Sequence, residues 1–355
     1  MTTRVMMVCA RYGPPWNEGV KNMVRLLEEH LSTLGFTITV VSKTGTDPLR
    51  STKRCLPAVA IETIAFWWRV ARMARAQGVQ VIHLFSSLTS VLGLKSFVIR
   101  TLSGVPLVVH ITGLGKPTSG YRLLFKADRV IAGGNHLAGF FPGAVVLPPV
   151  SPHMNRDDDR SPPADVETIP RRILFLGAME SVRGVHTLIE ALALLTRHDG
   201  LNNCTLTVAG NGYEEDGYVD RLRAEIAGYG LGDRVRWEQS VGDVPALYQT
   251  HDLVVIPQAS PERMAFPLRL LEAMSYGKPV VVSDLGEMPQ VADGWGVVYP
   301  AGDAGALAAA LHRLMTDQAF YRQCVLHARQ QVKQYHPSYT VTRLVELYEE
   351  LQDGR

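Results

Sequence analysis

The chain has 355 residues, which is too long for one ordinary hydrophobic core and enough for two α/β domains. Hydrophobic residues make up 46% and charged residues 20%, a globular composition that argues against a disordered chain. No run of 18 apolar residues and no signal peptide is recognised, so a cytoplasmic protein is expected. The four cysteines, Cys9, Cys55, Cys204 and Cys324, lack a CxxC or metal-ligand spacing, which favours free thiols in a reducing compartment.

Charge is divided unevenly along the chain. The net charge is only +2, but residues 1–150 hold 17 Lys and Arg against 6 Asp and Glu, a balance of +11, and the remainder carries −9. Two interpretations stay open for the basic half: peripheral contact with an anionic partner such as a membrane surface, or a basic surface with no partner. Nucleic acid is not expected, because the basic residues are not interleaved with a binding motif.

Apolar strands alternate with helices along the first half of the chain. Strands are predicted at 4–9, 36–41, 79–84, 107–110 and 129–131, and helices at 21–34 and 60–76. Such alternation predicts a mostly parallel, doubly wound α/β sheet.

Helix 60–76 contains Phe66-Trp67-Trp68 with an arginine at every third position, 69, 72 and 75. We favour a helix that packs its aromatic side chains on the sheet and exposes its arginines. The alternative is a helix that lies on a membrane surface.

A segment rich in Pro, Asp and Ser follows and is interpreted as a linker at 156–170. The alternation then restarts, with strands predicted at 172–176, 206–209, 235–237, 253–256 and 280–282. Two tandem Rossmann-like domains are therefore predicted, at 1–155 and 171–335, followed by a terminal helix at 336–355. The acidic run Asp157–Asp159 lies in the linker and is interpreted as a solvated charge run, so no metal site is predicted.

The most informative stretch is 257–286. A strand at 253–256 leads into an irregular loop, a helix predicted at 266–276, a Gly277-Lys278-Pro279 stop and another strand. This order is one βαβ unit, with its loop and the start of its helix at the carboxyl end of a strand. Open α/β sheets bind ligands at that edge, and the unpaired amides of a helix start suit a phosphate.

Residues in this stretch resemble a known family. Leu271-Glu272-Ala273-Met274, followed by Gly277-Lys278-Pro279 and Ser283-Asp284, is similar to the signature of retaining nucleotide-sugar glycosyltransferases of the GT-B fold (group 1, family 4-like). The resemblance implies two Rossmann-like domains with an interdomain cleft, and a terminal helix that packs on the first domain. It also implies a metal- and cofactor-independent retaining transfer of a sugar from a nucleotide diphosphate-sugar to a small-molecule, glycan or lipid-linked acceptor.

The resemblance assigns donor-binding roles in the second domain. Glu272 matches the glutamate that binds the ribose, and the alternative for it is a surface pair with Arg269. Backbone amides near the helix start would contact the diphosphate, and Gly177 and Arg183 match a phosphate-clamping segment. The donor-binding set comprises Gly19 of the first domain and eight residues of the second: Gly177, Arg183, Gly210, Met264, Ala265, Phe266, Leu268 and Glu272.

In the first domain, the resemblance implies that His110, predicted at the end of an apolar strand, contacts the donor sugar. His110 and Arg183 are thus the predicted catalytic residues. The loop after the first strand supplies the acceptor side through Glu18, Gly19 and Lys21. This loop carries neither a dinucleotide fingerprint nor a P-loop, which disfavours an oxidoreductase built on two Rossmann units.

Three positions depart from the family pattern. Met264 replaces a glutamate, Ala178 replaces an arginine, and Glu18 replaces a glycine. All three fall where the family touches the sugar or the diphosphate. Two alternatives to an ordinary transferase therefore stay open: an altered donor sugar, or a catalytically weak or silent GT-B partner subunit.

Overall fold

The structure is a computed structural model of this chain. It describes residues 3–13, 19–43, 56–115, 122, 124–154, 170–197, 201, 203–238, 242–262, 264 and 266–353, without the side chains of 56–63 and 211–213. Glu18, Ala265, Cys55 and most of the predicted linker lie outside the described residues. The chain divides into two compact units. The first comprises Met1–Pro152, Arg263–Phe266 and His336–Arg355, and the second comprises His153–Glu262 and Pro267–Tyr335.

The first unit contains a parallel six-stranded sheet in the order β2-β1-β3-β4-β5-β6. Its strands are β1 (Arg4–Cys9), β2 (Thr37–Ser42), β3 (Val81–Leu88), β4 (Leu107–Leu114), β5 (Arg129–Ala132) and β6 (Val145–Val146). Its helices are α1 (Gly19–Thr33), α2 (Leu56–Ala76), α3 (Leu92–Ser103), α4 (Asn135–Ala138) and, from the end of the chain, α12 (Pro337–Asp353).

Both faces of this sheet are covered by helices, as a doubly wound sheet requires. Strand β3 shows the division, because alternate side chains of a strand point to opposite faces. Phe85 lies in the core formed with α1 and α12, together with Tyr348. Leu84 lies in the core formed with α2 and α3, together with Trp67 and Ile99.

The second unit contains another parallel six-stranded sheet, in the order β12-β11-β10-β7-β8-β9. Its strands are β7 (Arg172–Met179), β8 (Thr205–Glu214), β9 (Val235–Glu238), β10 (Leu253–Ile256), β11 (Val280–Ser283) and β12 (Gly296–Tyr299). Its helices are α5 (Val185–Leu195), α6 (Tyr218–Gly228), α7 (Val244–Thr250), α8 (Leu268–Ser275), α9 (Met288–Val291), α10 (Ala304–Thr316) and α11 (Gln318–Gln331). Strand order reverses between β7 and β10, which makes that pair the topological switch point where such sheets bind ligands.

The predicted α/β class and all ten predicted strands are confirmed. Several strands run further at their carboxyl ends than predicted: 107–110 continues to Leu114, and 172–176 continues to Met179. These extensions contain glycine or hydroxyl side chains, which the sequence pattern assigns to loops although the ladder continues through them. Helix α8 begins two residues later than predicted, and Gly277 ends it with φ of 63°.

The structure also shows that no helix among the described residues is long and apolar enough to cross a membrane.

Candidate functional site

Two loops meet at the switch point of the second unit. The loop after β7 forms a 3-10 turn at Ser181–Arg183, and the loop after β10 leads from Pro257 towards α8. The amide of Ala259 donates to the carbonyl of Val182 at 2.9 Å, so the loops of the two adjacent strands are joined through their main chains.

Gly184 allows this close approach. Its φ is 72°, a left-handed conformation that side chains rarely adopt, and a Cβ placed there would lie 1.8 Å from the carbonyl oxygen of Pro257. Only glycine satisfies both conditions, so the Arg183-Gly184 pair is fixed by backbone geometry.

Arg183 is held from both loops. Its Nε lies 3.3 Å from Oε2 of Glu180, and its Nη1 donates to Oε1 of Gln258 at 3.2 Å. Gln258 in turn donates to the carbonyl of Ser260 at 2.8 Å. Glu180 and Gln258 are buried, whereas the Arg183 side chain is 29% exposed. The guanidinium is thus fixed in direction and still reachable from solvent.

Sequence reasoning missed Glu180, Gln258 and a third polar residue, Glu215. The carboxylate of Glu215 accepts from the amide of Ser181 at 2.7 Å and from its hydroxyl at 2.8 Å, which caps the turn that carries Arg183. Each of the three follows the end of a strand in the structure within two residues. The strands predicted at 172–176 and 206–209 ended too early to mark Glu180 and Glu215, so the position after a predicted strand was a signal only for Gln258.

Gly177 and Gly210 are direct partners across β7 and β8. A Cβ on Gly177 would lie 2.9 Å from the ring of Phe175, so a larger residue there would displace that ring. The structure therefore brings two predicted donor-binding glycines together and gives one of them a structural role as well.

Glu272 lies on α8 and is buried, with 5% of its surface exposed. Its Oε2 accepts from the hydroxyl of Tyr248 at 2.7 Å, and the Tyr248 ring stacks on Tyr276 with centroids 5.3 Å apart. Burial, and then the charge of Glu272, raise the pKa of Tyr248 well above its usual value, so the phenol stays a donor. The alternative of a surface Glu272 is therefore wrong, because this carboxylate lies in the interior.

The predicted diphosphate-binding segment does not form one group of residues. Met264 and Phe266 belong to the first unit, where the carbonyl of Met264 accepts from the amide of Leu114 at 2.5 Å. Leu268 belongs to the second unit, where it is the first residue of α8 behind Pro267. The sequence pattern predicted one continuous loop here and did not indicate that its residues pack with different units.

Of the acceptor-side residues, Gly19 begins α1 and is exposed, and Lys21 is buried near Cys9. Burial raises the pKa of the Cys9 thiol to about 12, partly offset by its bond to Arg11 and by the charge of Lys21. Lys21 therefore lies on the inner side of α1, which the sequence did not indicate.

His110 does not end its strand as predicted. It is the fourth residue of the eight in β4, and only 3% of it is exposed. Its Nδ1 lies 3.3 Å from Nε2 of His83, and Nδ1 of His83 lies 2.6 Å from the hydroxyl of Tyr348 on α12. Phe85 stacks on both imidazoles, with centroids 4.2 Å from His83 and 5.2 Å from His110.

Burial decides the charge of these histidines. It lowers the pKa of His110 to about 3 and that of His83 well below its usual value, with the neighbouring His110 adding to the effect on His83. Both imidazoles are therefore neutral at physiological pH. His83 and Tyr348 were missed because they are 27 and 238 residues from His110, and no local pattern joins them.

The predicted site residues thus divide between the two units. Gly177, Arg183, Gly210, Leu268 and Glu272 lie in the second unit, and Gly19, Lys21, His110, Met264 and Phe266 lie in the first. In the part of the chain that the structure describes, no group of three or more His, Cys, Asp or Glu side chains is placed to hold a metal ion.

Comparison with known proteins supports the resemblance. Residues 170–317 match the family model "Glycosyl transferases group 1". The chain is also 31% identical, over 184 residues, to a phosphatidyl-myo-inositol mannosyltransferase from Mycobacterium leprae, a match that covers 50% of this chain and 46% of that protein. The chain spans less than half the length of the curated relatives that it matches here.

Solved structures show that the fold extends over the whole chain. A glycosyltransferase from Rickettsia africae ESF-5 superimposes with a TM-score of 0.76 at 18% identity, covering 99% of this chain and 98% of that one. Anabaena Alr3699/HepE in complex with UDP and glucose superimposes with a TM-score of 0.70 at 18% identity, covering 98% and 99%. The predicted GT-B fold, with two Rossmann-like domains, is confirmed.

Proposed function

We propose, from the match of residues 170–317 to the family model for group 1 glycosyl transferases, that the chain transfers a sugar from a nucleotide diphosphate-sugar to an acceptor hydroxyl. We further propose that the anomeric configuration is retained and that neither a metal nor another cofactor takes part. The observation that carries this proposal is the pair of loops joined at the switch point of the second unit, inside the matched region.

These two loops are suited to bind the diphosphate of the donor. Negative charge develops on it as the bond to the sugar breaks, and preorganised donors that need no rearrangement stabilise such charge best. Arg183 is fixed by Glu180 and Gln258 and remains 29% exposed. The start of α8 adds the positive dipole end of a helix, where the first amides have no carbonyl partner one turn earlier in the same helix. A guanidinium grips phosphate oxygens with two parallel hydrogen bonds, which a lysine cannot do.

Glu272 and His110 have supporting roles in this proposal. Glu272 accepts hydrogen bonds from the ribose hydroxyls, and its bond from Tyr248 fixes the carboxylate before the donor arrives. His110 orients the sugar as a neutral hydrogen-bonding group, because burial keeps its pKa far below physiological pH.

A thermal-shift screen of the purified chain against UDP-, GDP-, ADP- and dTDP-sugars tests donor binding. Sugar nucleotides of one base should stabilise the chain. Arg183→Gln should raise the apparent Kd for them at least tenfold, because the charge-assisted hydrogen bonds from the guanidinium to the phosphate are lost. Arg223→Gln, an exposed arginine on α6, is the matched control and should leave binding unchanged. No shift with any sugar nucleotide would overturn the proposal.

Transfer assays then separate the alternatives. Met264 occupies the position where the family has a glutamate, which favours a donor sugar lacking the hydroxyl that such a glutamate would bind. Binding with turnover of deoxy- or amino-sugar donors alone would identify an altered donor. Binding without transfer or hydrolysis of any donor would identify a silent partner subunit.

A basic and apolar surface on α2 and α3 supports an anionic lipid surface as the acceptor side. Phe66 and Trp67 of α2 are buried, as the packed-helix interpretation predicted, but Trp68 is 48% exposed. Exposed apolar side chains lie on or beside these helices, and exposed basic groups lie over two of their rings: the guanidinium of Arg72 is 4.7 Å from the ring centroid of Trp68, and the ammonium of Lys126 is 5.9 Å from that of Phe97. The apolar set is Ile64, Trp68, Val91, Leu94, Phe97 and Leu102. Between residues 48 and 127 the only acidic residue is Glu62.

Exposed aromatic and basic side chains together suit the headgroup region of an anionic bilayer. The chain should sediment with phosphatidylserine vesicles and not with phosphatidylcholine vesicles, and Trp68→Ser with Phe97→Ser should reduce binding about tenfold or more. Tyr229→Ser, which removes a comparably exposed ring from the second unit, should have no effect. Equal binding by the wild type and the double variant would exclude this surface.

A further inference from the structure

Three buried side chains, Tyr348, His83 and His110, are joined by hydrogen-bond contacts in the first unit. We propose that Tyr348 and His83 are positioning residues that hold His110 in the tautomer with its proton on Nε2, so that it presents an N–H donor to the donor sugar. The role towards the sugar rests on the proposed function, whereas the tautomer itself follows from the geometry of the first unit.

Tyr348 sets the direction in which the hydrogen bonds among these three side chains are donated. Its hydroxyl is in a fully buried residue, and its hydrogen-bond partner among the described residues is Nδ1 of His83, at 2.6 Å. A buried hydroxyl that donates to nothing costs about 1–3 kcal/mol, so the O–H of Tyr348 points at that nitrogen. Nδ1 of His83 therefore accepts a hydrogen bond and carries no proton.

The remaining two steps follow from the neutral charge of the imidazoles. A neutral imidazole carries one proton, so the proton of His83 lies on Nε2. That N–H donates to Nδ1 of His110, 3.3 Å away, which makes Nδ1 of His110 an acceptor. The single proton of His110 must then lie on Nε2. The reverse order would leave the hydroxyl of Tyr348 without an acceptor among the described residues.

Packing keeps this arrangement in place. The rings of His83 and His110 lie nearly parallel, 10° apart, and Phe85 stacks on both. Helix α12 is held on the sheet by the buried Leu344 and by a bond from the Thr340 hydroxyl to the carbonyl of Pro148 at 2.8 Å. The last helix of the chain thereby decides the hydrogen-bonding character of a residue in the middle of β4.

NMR of ¹⁵N-labelled histidine tests the tautomer directly. At neutral pH both His83 and His110 should show a protonated Nε2 and an unprotonated Nδ1, with the signals assigned through His83→Gln and His110→Gln. In Tyr348→Phe the two possible directions of the hydrogen bond between His83 and His110 become similar in energy, so both histidines should show mixed tautomers. Tyr339→Phe, at an exposed position of the same helix, should leave the spectrum unchanged. A proton on Nδ1 of His110 in the wild type would overturn the inference.

Binding and turnover separate positioning from folding. Tyr348→Phe should weaken binding of the best sugar nucleotide and lower kcat about tenfold, while leaving the affinity for the free nucleoside diphosphate unchanged. An equal loss for both ligands would indicate a structural role and overturn the positioning role. If no sugar nucleotide binds the wild type, the proposed function fails, and the NMR result still decides the tautomer.

Discussion

The two units hold their polar candidate residues in opposite ways. In the second unit, Arg183 stands on loops at strand ends, pinned by Glu180, Gln258 and a main-chain bond between the loops, and it remains partly exposed. In the first unit, His83, His110 and Tyr348 lie inside the packing between β3, β4 and α12, with at most 3% of each exposed. The first arrangement leaves a charged group partly exposed to solvent, and the second buries neutral groups almost completely.

The difference shows what each kind of group requires. A guanidinium loses hydration energy when it is buried, so it is fixed by partners at the edge of the sheet. A neutral imidazole tolerates burial if its nitrogens are hydrogen-bonded, so it can be fixed by the core itself. The loop arrangement should be sensitive to backbone changes, and the buried arrangement should be sensitive to protons. Four predictions test this contrast, from the largest expected effect to the smallest.

Replacing Gly184 should have the largest effect. Gly184→Ala places a methyl group 1.8 Å from a carbonyl oxygen at a φ of 72°, so the free energy of unfolding of the second unit should fall by about 4 kcal/mol or more. Gly217→Ala is the control, because its φ of 71° is the same but nothing lies within 4 Å, and it should cost about 1–2 kcal/mol. Urea unfolding followed by circular dichroism measures both. If both variants lost the same free energy of unfolding, the loops after β7 and β10 would have to move apart at little cost.

Acid should destabilise the first unit more than the second. The folded-state pKa of His110, about 3, lies below its unfolded value near 6.5, so the unfolded chain binds more protons and stability falls as the pH drops below 6.5. Between pH 7 and pH 5, protonation of His110 in the unfolded chain should lower the free energy of unfolding by about 2 kcal/mol. His83 should lower it further, because burial also lowers the pKa of that imidazole.

Hydrogen exchange of the β3 and β4 amides at the two pH values, corrected for intrinsic rates, measures this effect. Amides of the second unit should lose less protection, because burial lowers the pKa of His186 and His251 while both remain partly exposed. Uniform loss of protection over both units would contradict the contrast.

Removing the partner of Glu272 should have an intermediate effect. Tyr248→Phe deletes a buried hydrogen bond to a carboxylate, so the free energy of unfolding should fall by about 2 kcal/mol. Nucleotide affinity should fall as well, because the carboxylate is no longer held in place. Tyr229→Phe, at an exposed position, should stay within about 0.5 kcal/mol of the wild type in the same urea titration. An unchanged Tyr248→Phe would mean that this bond does not hold Glu272.

Removing the cap of the 3-10 turn should have the smallest effect. Glu215→Ala frees the amide and hydroxyl of Ser181 at an exposed site, and it should cost about 1 kcal/mol. The neighbouring exposed Asp216→Ala should cost less than about 0.5 kcal/mol. Thermal unfolding with and without the best sugar nucleotide would show whether the cap also supports the donor loop. Equal behaviour of the two variants would show that the turn needs no cap.

The sequence by itself determined the order of strands and helices in this protein and its α/β class. The spacing of apolar runs such as 253–256 and 280–282 gave the parallel strands, and Gly277 gave the end of α8, because strand and helix periodicity and a glycine stop are local signals. The resemblance around Glu272 indicated the family, which the match over 170–317 supports. Arg183-Gly184 was also recognisable, through its resemblance to the phosphate-clamping segment of that family.

Only the tertiary structure decided what surrounds those residues. The bond from Tyr248 to Glu272 and the contacts from Glu180 and Gln258 to Arg183 depend on strand order, which composition and periodicity leave open. The chain of Tyr348, His83 and His110 spans 265 residues between its first two members. Local patterns carry no information on contacts of that range, because such contacts form only when the sheet order and the packing of α12 bring the strands and the helix together.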